Sequence, residues 1–550
     1  MKRWLSLLFF SSILIAPALS QDFSVSELGN PKSLDFPWEI IYGPDDKLWV
    51  SERKSGKISR IHPVTGEKDQ LTQVLDLNIL SGQAGLLGFA LHPALGKGTG
   101  QDFVYVSSTY DQNGDGQKIV RYAYKLSGTN GSLSEPTVIM DGLSASSDHN
   151  SGRLLFGPDD KIYYSIGDQG ANQFENKCNA IMAQYIPTQV EVDNRDWSVY
   201  KGKILRINTD GSIPDDNPVI NGVRSHIFSY GHRNVQGLVF GKNGLLYAAE
   251  HGPKSDDEIN VIQAGKNYGW PHVVGFQDDM AYEYCNYSSA DNCASLNYDD
   301  YSCPNGVVST SESSWTPPDL IAPITTMFTV SNNYDFTDDD CSSYYICWPT
   351  IAPSSIDIYE SALLDDWNNS LLVVSLKRSA IFRIKLSEDG LSTIGEPVEV
   401  FQTQNRYRDM AISPDGKSFF IVTDNEGRTS GPSGGSTTEL QNPGTILKFR
   451  LNEESGGADP LSLGSSNEQE IAIFPNPADE RVNIAFSGTS LPQKLEIVGL
   501  SGKELLTVSQ FYQMAGSSIS LNVSHFPLGV YLVKLYFVGS VQTRKLVINH

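Results

Sequence analysis

Between residues 30 and 451 one pattern of apolar and polar positions returns six times. A turn rich in Pro, Asp, Gly or Asn leads into a strand of alternating apolar and aromatic residues, and a second strand with basic residues follows. The first copy is GPDDKLWVSER (Gly43 to Arg53) with KISRI from Lys57, and the second is FVYVSSTYD from Phe103 with KIVRYAY from Lys118. The third and fourth are GPDDKIYYSIGDQG from Gly157 with KILRIN, and NGLLYAAEHGP from Asn243 with DEINVI. The last two are NNSLLVVSLKR from Asn368 with IFRIKL, and SPDGKSFFIVTD from Ser413 with TILKFRL. Period-two alternation bounded by turn residues predicts strands. One copy alone would expose an apolar face, which stacking around an axis buries. The pattern therefore predicts an all-β fold, a six-bladed β-propeller of four-stranded antiparallel blades. A sandwich with chance similarity between strands competes with it, but six copies in one order favour the propeller. Helical periodicity is nearly absent.

The spacing between copies is uneven. Residues Asp279 to Pro323 form a long insert rich in Tyr, Asn, Asp and Ser, with three cysteines. Inserts of that length within a compact domain are usually functional loops, here expected to wall one mouth of the central channel. Residues 452–470 are polar and rich in Gly and Ser, which reads as a flexible linker. Strand patterns resume from Ile471 to His550 and predict a small β-sandwich.

The first twenty residues read as a signal peptide: Lys2 and Arg3, an apolar run from Trp4 to Ile15, then Ala18-Leu19-Ser20. The chain is then organised as signal peptide 1–20, propeller 21–451, linker 452–470 and C-terminal domain 471–550. Export permits disulfides. Of the six cysteines, Cys341 and Cys347 are nearest in sequence and form the favoured pair; pairing among Cys178, Cys285, Cys293 and Cys303 stays open. The formal net charge of −23 repels phosphate backbones, which argues against a nucleic-acid partner.

Against that acidic background a few cations stand in apolar or turn contexts: Arg233, Lys377, Arg378, Arg406 and Arg408. Singly, each reads as a surface charge. As a set they suggest one anionic ligand with several carboxylates or phosphates. His149, in SSDHNSG, is a candidate general base, with Asp148 beside it to stabilise the imidazolium. HGPKSDDEINVI, from His251, offers Gly-Pro carbonyls and three acids, hard oxygens that suit Ca²⁺ or else a solvated acidic turn. Nucleophile-elbow, zinc-protease and Rossmann motifs are missing.

At these segments the chain resembles the soluble glucose dehydrogenases of the glucose/sorbosone dehydrogenase family, which use pyrroloquinoline quinone (PQQ). SGQAGLLGFALHP, DHNSGRLLFGPDDKIYYSIGDQG, SHIFSYGHRNVQGL, NYGWP, YICWPTIAPSS, SLKRSAIFRIKL and NRYRD carry the likeness from about Leu34 to Leu451. It implies that His149 takes the proton from a sugar's anomeric hydroxyl while Arg233 polarises the quinone, and that Gln83 and Asp148 touch the substrate or orient the base. It also implies that Asn234, Thr350, Lys377, Arg406 and Arg408 hold PQQ, with Tyr345 and Trp348 flanking it. Calcium would bind Gly252 and Pro253, with further ligands at Glu258, Tyr268, Val274, Phe276, Asp278 and Glu312. The expected reaction is oxidation of an aldose at C1 to the lactone, with an external electron acceptor. The same chemistry on another sugar-derived alcohol, or a non-catalytic propeller that binds glycans or proteins, are the alternatives. Relatives suggest a homodimer. One position departs from the family: His251 stands where the family has Gln. The C-terminal segment resembles the type IX secretion sorting domain, carried by Phe474-Pro475-Asn476-Pro477, GVYLVKL and KLVIN. That implies passage through the periplasm and across an outer membrane, by the type IX machinery, to the surface or the medium.

Overall fold

The computed structural model describes residues 23–452 except 31, 80–81, 112–114, 338–343 and 431–434. Beyond the first unit it describes 471–474, 478, 481–486, 494–499, 504–508, 518–537 and 540–549. The expected signal peptide, nearly all of the linker, and Pro475 to Pro477 lie outside the described residues. Two compact units divide at Asn452 and Glu453.

The first unit carries six four-stranded antiparallel sheets. In the first, Pro37–Tyr42 is followed in space by Leu48–Glu52, Lys57–Ile61 and Lys68–Gln73. The next four begin with Leu86–Leu91, Ser151–Phe156, Val235–Phe240 and Pro353–Tyr359 as their innermost strands. The sixth begins with Tyr407–Ile412 and ends on Phe23–Leu28, so the start of the chain supplies the outermost strand of the last sheet. Each innermost strand packs on those of the two neighbouring sheets, and the series closes on itself. The result is a ring with a central channel, a β-propeller. The two strands recognised in each sequence copy are the second and third of a sheet.

Strand alternation explains the ring. Leu48 and Val50 point toward the sixth sheet and Trp49 toward the second, all three fully buried. Both faces of a sheet are thus apolar, and the core falls into six clusters, one between each neighbouring pair of sheets. Each fully buried large aliphatic or aromatic side chain contributes about 1.5–3 kcal/mol.

All six innermost strands share one irregularity. The pairing register with the second strand shifts at their first residues: Pro37/Glu39, Leu86/Phe89, Ser151/Leu154, Val235/Gly237, Pro353/Ser355 and Tyr407/Asp409. Such bulges bend a strand and re-aim its side chains, and here they ring the same mouth of the channel.

In the second unit Ile471–Phe474, Arg481–Phe486 and Ser518–Asn522 form one antiparallel sheet, and Lys494–Gly499, Glu504–Val508, Gly529–Phe537 and Ser540–Ile548 another. Val482, Ile484, Leu495, Ile497, Val533, Leu535 and Leu546 fill the core they share. Among the described residues, no helix is long and apolar enough to cross a membrane.

Candidate active site at the bulged mouth

In five of the six sheets the second strand ends at the mouth and a polar residue follows within two positions: Arg53, His251 and Asp424 directly, Asp168 and Lys377 after Gly167 and Leu376. The segments that enter the innermost strands bring Gln83, Asp148, His149, Arg233, Asn234, Thr350, Arg406 and Arg408 to the same end.

His149 is buried and has φ +48°, a conformation that costs a non-glycine residue free energy and often marks a functional position. Its Nδ1 lies 2.7 Å from Asp168 Oδ1. Asp168 is itself fully buried, accepting from Gly170 N at 2.9 Å and from Trp270 Nε1 at 2.8 Å. A carboxylate held at Nδ1 sets the tautomer with the lone pair on Nε2, the form a general base needs. The carboxylate that meets Nδ1 is that of Asp168. Asp148, expected in that role, sits on the other side with Oδ2 3.6 Å from Nε2. Gln83 and Gln173 donate to the Asp148 carboxylate at 2.6 and 2.9 Å. Burial pushes that carboxyl up, but His149 and Arg233 together hold it below its usual value.

Arg233 lies over the Trp270 ring, 5.3 Å from its centroid. Its backbone N–H donates to Glu250, which also accepts from Asn234 N at 3.3 Å and contacts His232 Nδ1 at 2.9 Å. Lys377 Nζ donates to Trp348 O at 2.7 Å, to Tyr345 O at 3.3 Å and to the Thr350 hydroxyl. Burial lowers its ammonium, partly offset by the Asp257 carboxylate. Arg406 and Arg408 share Asp424, at 3.6 and 3.4 Å. Arg378 does not join this group and pairs with Glu399 at 3.3 Å, its side chain 41% exposed. His251 Nε2 lies 2.8 Å from Pro353 O; burial first, then Arg233, His149 and Arg408, push its pKa down to about 3, so its ring is neutral.

Among the described residues, four buried donors at this mouth meet no hydrogen-bond partner: Arg233 Nε, Asn234 Nδ2, Arg408 Nε and Arg406 Nε, the last with only the Asp424 carboxylate at 3.6 Å. Asn234 Oδ1 is used by Ser151 and Gln236, which fixes its amide with Nδ2 left over. Buried donors are paired in the great majority of cases. Four orphaned donors on two sheets, among fixed cations, form a cradle whose chemistry fits a polycarboxylate quinone such as PQQ. Tyr345 is 53% exposed at the rim, and Trp348 Nε1 donates to Phe336 O at 3.0 Å.

The expected calcium ligands fall into two groups. Gly252 donates its N–H to Asp257 Oδ1 at 2.9 Å; a Cβ there would meet Ser255 O at 1.9 Å and Asp256 O at 2.7 Å, so only glycine lets these carbonyls close in. In the second group, Glu258 accepts from Gly275 N at 2.7 Å and Glu312 from Val274 N at 2.8 Å and Asp278 N at 3.3 Å. The two carboxylates therefore grip one loop that also holds Phe276. Tyr268 directs its hydroxyl elsewhere, to Val261 O at 2.7 Å. Burial, then the neighbouring Glu250, raises the Glu258 carboxyl well above its usual value; burial raises Glu312 to about 7. Among the described residues, no three or more His, Cys, Asp or Glu side chains form a metal-binding group.

Disulfides join Cys178 to Cys293 and Cys285 to Cys303, pairings that sequence order left open. Cys347 is disulfide-bonded; Cys341, its expected partner, lies outside the described residues.

A ring of antiparallel sheets with a His–Asp pair and a cation cradle at one channel mouth defines a β-propeller of enzymatic type. Its sequence matches the family model "Glucose / Sorbosone dehydrogenase" over residues 34–306 and 329–430, and residues 472–549 match a secretion system C-terminal sorting domain. The chain belongs to the glucose/sorbosone dehydrogenase family. It is 44% identical to quinoprotein glucose dehydrogenase B of Acinetobacter calcoaceticus over 430 residues, 76% of this chain and 89% of that protein. An aldose sugar dehydrogenase of Escherichia coli is 30% identical over 249 residues, 43% of this chain and 59% of its own length. The structure of a PQQ-bound aldose sugar dehydrogenase from Streptomyces coelicolor superposes with a TM-score of 0.51 and 26% identity, covering 78% of this chain and 98% of that one.

Sequence reasoning missed Asp168, Gln173, Trp270, Arg53 and Asp424. A signal for three of them was present: Arg53, Asp168 and Asp424 lie within two residues of the end of the second strand of their copies, as Lys377 does in the fifth.

Proposed function

We propose that this chain is a PQQ-dependent aldose dehydrogenase on a six-bladed β-propeller, oxidising C1 of a pyranose to the lactone. The observation that carries the reading is the set of orphaned buried donors of Arg233, Asn234, Arg406 and Arg408 around the His149–Asp168 pair. When bound, PQQ supplies a quinone that takes up the C1 hydrogen with its electron pair. His149 Nε2 accepts the proton of the anomeric hydroxyl, and Asp168 stabilises the imidazolium that results. Asp148, tied down by Gln83 and Gln173, accepts a hydrogen bond from a neighbouring sugar hydroxyl. Arg233 would set a fixed positive charge beside the quinone when PQQ is bound. Lys377, Thr350, Arg406 and Arg408 would hold its carboxylates, and Tyr345 and Trp348 would flank the pocket.

The Gly252 and Pro253 carbonyls would hold Ca²⁺ against the cofactor. A second Ca²⁺ at Glu258, Glu312 and the Val274–Asp278 loop would relieve buried like charges. His251, neutral beside Arg233, replaces the family's Gln without adding charge. The C-terminal unit, read as a β-sandwich sorting domain, would direct export through the type IX machinery. An external acceptor would take up the two electrons removed from each sugar.

The test is reconstitution: strip metal with chelator, restore Ca²⁺ and PQQ separately and together, and follow dye reduction with an aldose panel. Turnover that requires both additions is expected. Silence across the panel with PQQ bound would overturn the reading in favour of a glycan- or protein-binding propeller.

A further inference from the structure

Below the cradle the channel is crossed by a buried guanidinium. Arg153 lies in the bulge of the third sheet, between Ser151 and Leu154, and is 4% exposed. Its Nε donates to Gln236 O at 2.9 Å, and one terminal nitrogen donates to Ser354 O at 3.1 Å. The other terminal nitrogen lies 3.1 Å from Glu39 Oε1 and 3.1 Å from Asp409 Oδ2. Glu39 Oε2 in turn accepts from Phe89 N at 2.7 Å, and Asp409 Oδ2 from Ile40 N at 2.8 Å. The Trp38 ring covers the guanidinium, with its centroid 4.5 Å from the central carbon.

These partners share an origin. Gln236 and Ser354 are the extra residues in the bulges of the fourth and fifth sheets. Glu39, Phe89 and Asp409 are the first residues to pair again after the bulges of the first, second and sixth. One side chain therefore joins all six bulges, directly or through the two acids. A bulge leaves its extra residue without a ladder partner, and a buried peptide group needs one. The guanidinium supplies it, because its planar fork of N–H groups meets four acceptors from one point.

The same stretches carry the site. His149 precedes Arg153, Arg233 and Asn234 precede Gln236, Thr350 precedes Ser354 and Arg408 precedes Asp409, each by four residues or fewer. On the far side of the guanidinium the channel holds a cavity of about 400 Å³. Glu39, Arg153 and Asp409 line it together with residues further along the innermost strands, among them Tyr42, Phe156 and Ile412. Arg153 thus stands between that cavity and the mouth.

We propose that Arg153 is a positioning residue for the cofactor site, fixing the six bulges against one another and so setting the spacing between His149 on the third sheet and the cations of the fourth to sixth. The inference rests on the aldose dehydrogenase reading for its ligand, PQQ, and adds the element that holds the site in register. The test uses the full chain and a control of matched chemistry. Arg60 is likewise buried, and its partners Asp45, Asp69, Tyr124 and Thr129 O lie outside the six bulges at the mouth.

PQQ is titrated with Ca²⁺ present into wild type, Arg153→Met, Arg153→Lys, Glu39→Leu and Arg60→Met, well below each thermal midpoint. Hydrogen exchange of residues 229–236 and 403–409 is followed without PQQ. Arg153→Met is expected to weaken PQQ binding about tenfold or more, since hydrogen bonds to a charged group are lost from a desolvated site. Glu39→Leu should act in the same direction, although the first sheet supplies none of the residues read as holding PQQ. Exchange in both segments should rise in these variants. Arg60→Met should lower the thermal midpoint yet keep PQQ affinity within about twofold. Arg153→Lys keeps the charge and covers the case in which Arg153→Met fails to fold; its single ammonium cannot meet four acceptors, so PQQ affinity should still fall. Wild-type PQQ affinity and exchange in a folded Arg153→Lys or Arg153→Met protein would overturn the proposal, as would equal losses in Arg60→Met. If wild type takes up no PQQ, the dehydrogenase reading falls, and exchange that rises in both segments with Arg153→Lys but not with Arg60→Met still upholds the positioning role.

Discussion

Replacing Asp168 by Asn tests the reaction geometry most directly. The carboxylate has one oxygen 2.7 Å from His149 Nδ1 and the other 2.8 Å from Trp270 Nε1, inside a fully buried environment. Asparagine keeps the shape but removes the charge, and its NH₂ can present a donor where His149 needs an acceptor. A hydrogen bond to a charged group is worth about 1.5–3 kcal/mol, which converts to roughly a 10- to 150-fold loss of kcat. Because the Asp168 carboxylate bonds His149, Gly170 and Trp270 and no cation of the cradle, and its backbone bond to Arg233 O is kept in the variant, PQQ affinity, read by titration of tryptophan fluorescence, should change less than about twofold. The second half of the test is a cycle with His149→Ala. If Asp168 acts through the imidazole, adding Asp168→Asn to His149→Ala costs nothing further in kcat. A kcat within twofold of wild type for Asp168→Asn, or fully additive losses in the double variant, would refute the reasoning.

Other consequences are as specific. Arg408→Ala or Lys377→Ala should weaken PQQ binding about tenfold or more by equilibrium titration, with an undisturbed far-ultraviolet spectrum, because each removes a charged contact from a desolvated site. His226 is buried with Nε2 3.1 Å from Gly211 O, and burial pushes its pKa from 6.5 to about 4. The folded form therefore holds the neutral ring, so stability is complete above pH 6.5 and falls as pH drops toward 4, by up to about 3 kcal/mol. His226→Gln should flatten that acid limb in urea unfolding measured between pH 4 and 7. Replacing Cys178 and Cys293 by Ser opens a loop with a sequence separation of 115 and should lower unfolding free energy by about 2–4 kcal/mol, seen as a lower thermal midpoint.

Much of the ring was legible in the chain because the second and third strands of each sheet are buried on both faces and bounded by turn residues. GPDDKLWVSER and GPDDKIYYSIGD state their turn and strand outright. The innermost strands were less visible: Pro37–Tyr42 and Ser151–Phe156 pass through a bulge, and the extra residue breaks the period-two alternation that a reader follows. The outermost strand of the last sheet was invisible, since Phe23–Leu28 is mostly exposed and pairs with residues more than 400 positions away.

For the site, sequence determined the chemical inventory: one histidine in a polar turn, several cations in an acidic protein, and Gly-Pro carbonyls before a run of acids. Tertiary structure alone decided which carboxylate meets Nδ1 of His149. Asp148 is the covalent neighbour of His149, yet a neighbour in sequence faces away from the ring nitrogen that needs orienting. Asp168 arrives from the next strand, and the left-handed backbone at His149 turns Nδ1 to meet it. Hydrogen-bond partners, disulfide pairs and the contacts of Arg153 all depend on distances between segments far apart in the chain. Local pattern carries strands and turns because those are fixed within a few residues, whereas a site is set by how the ring closes.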